Sequence, residues 1–276
     1  MMNEEKFLAI LKEDKDIIDR EVKSYFNPIN KLEEAMAYAT GGGKRIRAFL
    51  YLETKKMFSQ EITENDYKLA LVIEFIHAYS LVHDDLPAMD DDDYRRGKES
   101  VHKKFGEDIG ILTGDALLNE ACLILFDLGI ENESYLKAGS YILNKASRFG
   151  MIKGQVLDLY RDKTYDVAYL LNVYKKKTSD LFKASCLAAA IVENQNQEKC
   201  SNIEKFAENL GLAFQIQDDL LEDTFTDELN ILNVMKKKEA NILLDEVNKK
   251  AKDAIKDFEK NEVLTYLIDY LSSRSY

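Results

Sequence analysis

The sequence contains few residues that interrupt helices and few that could cross-link the chain. Only 2 prolines and 12 glycines occur among its 276 residues, and tryptophan is absent. So few helix breakers over this length predict long helices joined by short connections. The cysteines, Cys122, Cys186 and Cys200, are scattered and have no metal-site spacing. They argue against a disulfide framework and favour a reducing cytoplasm.

Basic residues are outnumbered by acidic ones. The chain has 38 Lys and Arg against 50 Asp and Glu, a formal net charge of -12, which argues against a nucleic-acid or anionic-membrane partner. The first residues, MMNEEKFLAI, lack the apolar run of a signal peptide. The longest apolar stretch, near residues 186–192, is too short to span a membrane. We therefore expect a cytoplasmic protein without stable membrane association.

Apolar residues are plentiful and follow a helical pattern. They make up 46% of the chain, enough for a sizeable core. They recur at helical spacing from residues 3–26 to residues 263–276, and no linker, repeat or low-complexity tract divides the sequence. The pattern predicts a single all-α domain over residues 1–276, with no sheet.

An acidic stretch, His83–Gly97, has the sequence HDDLPAMDDDDYRRG. Its aspartates are Asp84, Asp85, Asp90, Asp91, Asp92 and Asp93. Carboxylates this close repel one another unless a cation lies among them, and oxygen donors suit Mg²⁺, which often bridges carboxylates to substrate phosphates. Arg95 and Arg96 offer bidentate donors for such phosphates. The alternative for an isolated acidic run is a solvated loop.

A basic, glycine-rich stretch, GGGKRIRAFL, begins at Gly41. Three glycines allow a ligand to approach the backbone closely. Lys44, Arg45 and Arg47 follow at the start of a predicted helix, where anions are favoured. The stretch predicts a diphosphate site, with a helix stop followed by a solvated basic turn as the alternative.

Two predicted apolar helices end in carboxylates. Residues 67–83 lead to Asp84 and Asp85, and residues 202–223 carry Asp218, Asp219 and Glu222. Helices that are apolar on most faces are buried. If these two lie side by side, their clusters could hold cations between them across a cavity. Two further residues stay open: His77 as a core histidine or a hydrogen-bond donor to a ligand, and Asp158 as a site residue or a helix-packing acid.

Several motifs occur together in an order known from one family. They are GGGKRIR, IHAYSLVHDDLPAMDDDDYRRG, FGEDIGILTGDALL, GMIKGQVLDL, Lys177-Thr178 and GLAFQIQDDLLE. Across about residues 38–223 the sequence resembles the trans-isoprenyl diphosphate synthases, most closely the bacterial farnesyl diphosphate synthases. The resemblance implies an all-helical bundle around a deep central cavity, a homodimer and Mg²⁺ as cofactor.

The resemblance also implies a role for each motif residue. Mg²⁺ would be bound by Asp84, Asp85, Asp90, Asp218, Asp219 and Glu222. The allylic diphosphate would be held by Arg95, Lys177, Thr178 and Gln215, and isopentenyl diphosphate by Gly43, Lys44, Arg47, His77 and Arg96. The catalytic set would be Asp84, Asp85, Asp90, Arg95, Lys177 and Asp218.

In the implied reaction, isopentenyl diphosphate is condensed with dimethylallyl or geranyl diphosphate. Mg²⁺ neutralises the leaving diphosphate, the allylic C–O bond ionises, and the double bond of isopentenyl diphosphate attacks the carbocation. Loss of a proton, which in this family passes to the departed diphosphate, completes a chain that is longer by five carbons. Tyr79 lies five residues before Asp84, about 7.5 Å along a helix. In this family an aromatic residue there closes the product pocket. Tyr79, with the two-residue-longer first motif DDLPAMD, therefore indicates the fifteen-carbon product, farnesyl diphosphate; Ser80 is the second predicted chain-length residue.

Four other functions remain possible alternatives to this interpretation. They are a geranyl diphosphate synthase, a geranylgeranyl diphosphate synthase, a terpene cyclase and a non-catalytic subunit. A cyclase would not need GGGKRIR or Arg96.

The sequence departs from the family pattern in three places. Glu222 stands where the family usually has Asp, and Ser179-Asp180 where it usually has Gly-Ala. The usual glycine- and lysine-containing loop after Glu222 is missing, and Lys236–Lys238 are assigned to the next helix.

Overall fold

The computed structural model describes residues 2–59, 61–162, 164–222 and 229–273. Within these ranges the chain forms α1 (Glu4–Tyr25), α2 (Lys31–Thr40), α3 (Ile46–Phe58), α4 (Glu64–Asp84), α5 (Val101–Phe105), α6 (Glu107–Glu131), α7 (Glu133–Ala146), α8 (Met151–Leu159), α9 (Val167–Tyr174), α10 (Asp180–Val192), α11 (Gln197–Glu222), α12 (Lys237–Ile255) and α13 (Glu262–Ser272). A π-helical turn, Lys175–Ser179, joins α9 to α10, and a 3₁₀ turn covers Ile231–Asn233. The predicted all-α class is confirmed.

The prediction that the chain has no sheet is wrong in one small place. Strand β1 (Tyr94–Arg95) pairs antiparallel with β2 (Lys98–Glu99), and Arg95 lies opposite Lys98. The two linking residues, Arg96 and Gly97, have φ angles of 54° and 74°. Positive φ at both central residues is the type I′ turn that matches the twist of a two-residue hairpin. The hairpin therefore fixes the backbone that carries both arginines of the acidic stretch.

The buried helix α10 positions the two carboxylate clusters. Its alanines at 184, 188, 189 and 190 are fully buried, and such small side chains allow neighbouring helices to approach closely. The helix packs against α3, α7 and α11, and it also contacts α4. Helix α10 therefore contacts both of the helices, α4 and α11, that end in a carboxylate cluster.

The buried acid Glu74 fastens α4 to the beginning of α3. Its carboxylate accepts a hydrogen bond from Nη1 of Arg45 at 2.9 Å and another from the backbone N of Ala48 at 3.2 Å. Arg45 is the residue before α3, adopts a left-handed φ of 55° and is only 6% exposed. Its Nε also binds Asp19 at 2.8 Å. Arg45 thus serves the packing of helices and is not available to an anion at the helix start.

By length and composition alone, helix α6 is long and apolar enough to cross a membrane. The expectation that no stretch in the sequence is long enough missed this helix. Such a composition is weak evidence for a span, because buried helices of soluble proteins share it. In the structure α6 packs against α2, α4 and α7. Its exposed apolar side chains are Ile111, Leu112, Leu123, Phe126 and Ile130.

Candidate functional site

The first carboxylate cluster forms where α4 ends. Asp84 is the last residue of the helix, and the backbone N of Asp90 returns to the carbonyl of Asp84 at 2.9 Å. Burial raises the pKa of Asp84 to about 7; Lys177 partly opposes this shift and Asp90 reinforces it. Partial burial also raises the pKa of Asp90. A cation placed between these carboxylates would favour their charged forms.

Asp85 is buried and paired with the hairpin. Arg95 donates from Nε to Oδ1 of Asp85 at 2.8 Å, and its Nη2 contacts the same oxygen. Nη2 also donates to Oδ2 of Asp92 at 3.0 Å. Burial raises the pKa of Asp85 even though Arg95 opposes the shift. The arrangement holds the guanidinium of Arg95 beside the cluster.

Lys177 faces the same cluster from the π turn. Its Nζ donates to Oδ2 of Asp158 on α8 at 2.6 Å. Burial acts to lower the pKa of Lys177, but Asp158, Asp84 and Asp90 together raise it. The ammonium is therefore held in its charged form next to the carboxylates. Asp158, which the sequence left open between two roles, contacts a predicted site residue.

A second group of cations lies near the start of α3. Arg47 donates from Nη1 to Nε2 of His77 at 3.1 Å, which leaves the imidazole proton on Nδ1. Burial, followed by the surrounding arginines, lowers the pKa of His77 well below its ordinary value, so the ring is neutral. Burial also lowers the pKa of Arg47 to about 10. Among the described residues, the buried Nε of Arg47 has no hydrogen-bond acceptor. An anion would supply one.

Gly43 allows Arg96 to approach the glycine-rich loop. It adopts a φ of 98°, and a Cβ at this position would lie 2.5 Å from Nη1 of Arg96. A cavity of about 150 Å³ is lined by these two residues together with Asp85 and Arg95. Other predicted residues lie elsewhere: Lys44 is exposed, and Arg47 and His77 do not line this cavity.

In the second cluster, Asp219 is an internal hydrogen-bond acceptor. It is 2% exposed and accepts from the hydroxyl of Tyr174, from Nε2 of Gln215 at 3.1 Å and from the backbone N of Ile231 at 2.7 Å. Burial raises its pKa to about 6, against the influence of these donors. Thr178 donates to Oε1 of Gln215 at 3.1 Å. Metal ligation by Asp219 stays a prediction and would compete with these contacts.

Asp218 and Glu222 have different surroundings. Asp218 is half-buried, and its charge acts on Arg47 across the site. Glu222 is exposed and accepts from Nδ2 of Asn230 at 3.1 Å. Part of the segment with the predicted missing loop, residues 223–228, lies outside the described residues. Beyond it, Lys236 directly precedes α12, and Lys237 and Lys238 are its first residues.

Within the described ranges, no three His, Cys, Asp or Glu side chains are arranged to hold a metal ion by themselves. The predicted ligands instead lie on two separate elements, at the ends of α4 and α11. Mg²⁺ is commonly bound by one or two carboxylates together with substrate phosphate oxygens. The geometry therefore fits a metal ion that shares its ligands with a bound diphosphate.

Tyr79 lies within α4, five residues before Asp84. It is 5% exposed, and its ring meets His83 edge-on at 6.0 Å between centroids. Burial raises its pKa to about 12, and its hydroxyl has no hydrogen-bond partner among the described residues. Ser80 donates its Oγ to the carbonyl of His77 at 2.9 Å, within the same helix. Of the two predicted chain-length residues, Tyr79 is the more buried.

The structure reveals site residues that sequence reasoning did not select. Tyr174 binds Asp219, although nothing in the local sequence marks this tyrosine. Gln155 has both amide atoms buried, and neither has a partner in the described chain. Asp180 is fully buried directly after the π turn. Gln155 lies in the motif GMIKGQVLDL, and Asp180 is an acid where a small apolar residue is usual, so both carried a signal in the sequence.

Known proteins are similar to this chain along most of its length. The polyprenyl synthetase family model matches residues 29–238. The farnesyl diphosphate synthase of Micrococcus luteus is 32% identical over 278 residues, covering 94% of this chain and 95% of that protein. The corresponding protein of Geobacillus stearothermophilus is 36% identical over 220 residues, covering 77% and 74%. An FPP/GFPP synthase from Zymomonas mobilis superposes with a TM-score of 0.90 at 30% identity, covering 97% of this chain and 99% of that one.

Proposed function

The chain belongs to the polyprenyl synthetase family, and from this membership we infer that it is a trans-prenyltransferase. We propose that it condenses isopentenyl diphosphate with dimethylallyl or geranyl diphosphate to give farnesyl diphosphate. One observation carries the proposal: two groups of cations lie among the carboxylates of the two clusters. Lys177 and Arg95 form one group, near Asp84, and Arg47 and Arg96 form the other, with Asp218 acting on Arg47. A reaction between two diphosphates requires two such groups.

The allylic diphosphate fits the side formed by Lys177 and Arg95. Both cations contact carboxylates, Asp158 and Asp85, which keep them charged and oriented. Thr178 and Gln215 continue this side of the site toward α11 through their mutual hydrogen bond. Binding here would place the allylic C–O bond close to Asp84. Negative charge would grow on the leaving diphosphate as this bond breaks.

A divalent metal ion serves this family, and we propose that Mg²⁺ is the ion used here. The predicted donors are all carboxylate oxygens, which are hard ligands suited to Mg²⁺. Burial, reinforced by neighbouring carboxylates, raises the pKa values of Asp84 and Asp90, and a cation would favour their charged forms. When bound, the ion would neutralise negative charge on the leaving diphosphate. Asp84, at the end of α4, and Asp85 and Asp90, which follow it, would hold the ion from one side, and Asp218 and Glu222 of α11 from the other.

Isopentenyl diphosphate fits the side formed by Arg47 and Arg96, with Lys44 nearby. Neutral His77 accepts a hydrogen bond from Nη1 of Arg47. The Nε of Arg47 stays available to another acceptor, such as a diphosphate oxygen. Gly43 leaves room for the Arg96 guanidinium. With its diphosphate fixed here, the double bond of isopentenyl diphosphate would be oriented toward the allylic carbocation, an effect that lowers the barrier by proximity.

Replacing Gly43 by alanine tests the placement of Arg96. The new Cβ would lie 2.5 Å from the nearest guanidinium nitrogen and displace it, so the KM for isopentenyl diphosphate should rise about tenfold. Gly42→Ala is the matched control, because Gly42 also has a positive φ, 84°, but a Cβ added there would have no atom within 4 Å. Steady-state kinetics that give equal KM values for the two variants would contradict this role of Gly43.

The proposed activity is tested with the purified chain, Mg²⁺, isopentenyl diphosphate and either allylic primer. We expect farnesyl diphosphate by mass spectrometry, and no product when EDTA removes the metal. A twenty-carbon product would favour a geranylgeranyl diphosphate synthase. Cyclic hydrocarbons made from farnesyl diphosphate alone would favour a cyclase. Absence of product under all conditions would favour a non-catalytic subunit.

We further propose a cytoplasmic homodimer. The apolar side chains Leu123, Phe126 and Ile130 are 58%, 62% and 84% exposed along one helix, α6. A second copy of the chain would cover them, and large exposed apolar patches commonly mark such interfaces. Light scattering should give twice the mass of one chain, and Phe126→Glu should shift the protein toward monomer. A monomeric wild-type protein at micromolar concentration would contradict the proposal.

A further inference from the structure

The π turn that carries Lys177 and Thr178 is an irregular element that needs support. It interrupts the helix between α9 and α10, and the backbone N–H of Asp180 closes it by bonding to the carbonyl of Lys175, five residues earlier. Such wide turns are rare and occur often at functional sites. Since Lys177 is placed by this turn, whatever holds the turn also sets the position of its ammonium group.

Two glycines fix the turn from either side. A Cβ on Gly154 of α8 would lie 2.2 Å from the backbone N of Lys177. A Cβ on Gly211 of α11 would lie 2.6 Å from both Cα and Oγ of Ser179. The turn is therefore in direct contact with two neighbouring helices, α8 and α11.

Asp180 anchors one end of the turn through a buried ionic network. Its side chain is 1% exposed and lies among three lysines from three elements. Nζ of Lys183 on α10 lies 2.8 Å from Oδ1, Nζ of Lys176 in the turn donates to Oδ2 at 3.3 Å, and Nζ of Lys145 on α7 lies 3.7 Å from Oδ1. One carboxylate thus joins the π turn to α7 and α10.

The network reaches α11 and the end of α7 as well. Lys183 also binds Glu208 of α11 at 3.1 Å, and Lys175 binds the same carboxylate at 2.9 Å. Lys176 has a second acceptor, the carbonyl of Phe149 between α7 and α8, at 2.9 Å. Lys176 is therefore the direct link from the turn both to Asp180 and to the loop before α8.

We propose that Asp180 and Lys176 are positioning residues that lock the π turn, so that Lys177 and Thr178 face the allylic diphosphate. This inference rests on the proposed function for the identity of the ligand. The two residues touch neither substrate; they act through the backbone of the turn. Misplacing a charged ligand-binding group by about 1 Å can cost up to a hundredfold in rate, so a loosened turn should be measurable.

Lys176→Met is the preferred variant. It removes both contacts of the turn but keeps the aliphatic stem, and it leaves Lys183 and Lys145 to neutralise Asp180. Asp180→Asn is the second variant, although it leaves buried lysines without their partner and so risks unfolding. Lys153→Met is the control, because Lys153 is an exposed lysine of α8 and loses the same charge.

The measurement is the affinity for each substrate alone, with Mg²⁺, by titration calorimetry on protein shown to be folded by circular dichroism. Lys176→Met should weaken binding of geranyl diphosphate about five- to tenfold and change binding of isopentenyl diphosphate less than about twofold. Hydrogen exchange should accelerate at residues 175–179. Equal losses for both substrates, or affinities matching those of Lys153→Met, would overturn the proposal. Because binding needs no turnover, a wild-type protein that binds both diphosphates but makes no product would refute the proposed function alone.

Discussion

Replacing Tyr79 by alanine is expected to lengthen the product from fifteen carbons to twenty or more. Tyr79 lies about 7.5 Å along α4 from Asp84, the end of the helix at which the diphosphate would bind. Its buried ring would therefore meet the end of a growing isoprenoid tail. Removing the ring opens space where chain growth now stops. The products of Tyr79→Ala, sized by mass spectrometry after incubation with excess isopentenyl diphosphate, test this directly.

Tyr79→Phe provides the control for this experiment. It keeps the ring and removes only a buried hydroxyl that has no partner in the described chain. Since no hydrogen bond is lost, the variant should be about as stable as the wild type and should still make farnesyl diphosphate. The alanine variant loses a buried aromatic side chain, which typically costs about 3–5 kcal/mol, so its folding must be verified first. A folded alanine variant with unchanged product length would remove Tyr79 from this role.

Replacing Asp84 by asparagine is expected to lower kcat by about 10²- to 10³-fold, the usual effect of losing one electrostatic contact to a developing charge. The substitution keeps the shape of the side chain but removes the negative charge that would bind Mg²⁺. Asp84 lies near Lys177 and Asp90, and burial raises its pKa to about 7. The loss should appear in kcat and in the Mg²⁺ concentration required for half-maximal rate.

Asp91→Asn is the matched control for Asp84. It removes the same charge from the same acidic stretch, but Asp91 is exposed. Its backbone has a left-handed φ of 54°, which asparagine tolerates as well as aspartate. The rate should therefore stay within about twofold of the wild type. A comparable loss of kcat in both variants would mean that the total charge of the acidic stretch controls the rate and that the position of Asp84 does not.

In the basic motif after the glycines, the sequence predicts an anion site but does not predict which of the basic residues face it. Lys44, Arg45 and Arg47 are equivalent by residue type, and the motif predicts an anion site. In the structure Arg47 faces His77, but Arg45 turns inward to Asp19 and Glu74. These acids lie 26 and 29 positions away in the chain. No local pattern contains that information.

Neighbouring acids in the second cluster make the same point. Asp218 and Asp219 share one helix and one motif. Asp219 is enclosed by donors from α9 and from the segment after Glu222, whereas the charge of Asp218 reaches Arg47. The hydroxyl that binds Asp219, on Tyr174, comes from 45 positions earlier. The packing of helices that are distant in sequence therefore decides which of the two adjacent carboxylates is buried among hydrogen-bond donors and which one faces the site.

By itself, the sequence determined the helical class, the two carboxylate-ended helices and the family. These follow from periodicity, composition and motif order, which are local properties of the chain. Only the tertiary structure decided which charged residues face the site and which support it. It also produced the type I′ hairpin that contains Arg95 and Arg96, and the ionic network around Asp180. Burial and pairing of a charge are set by groups brought together from far along the chain, so they emerge only when the helices pack.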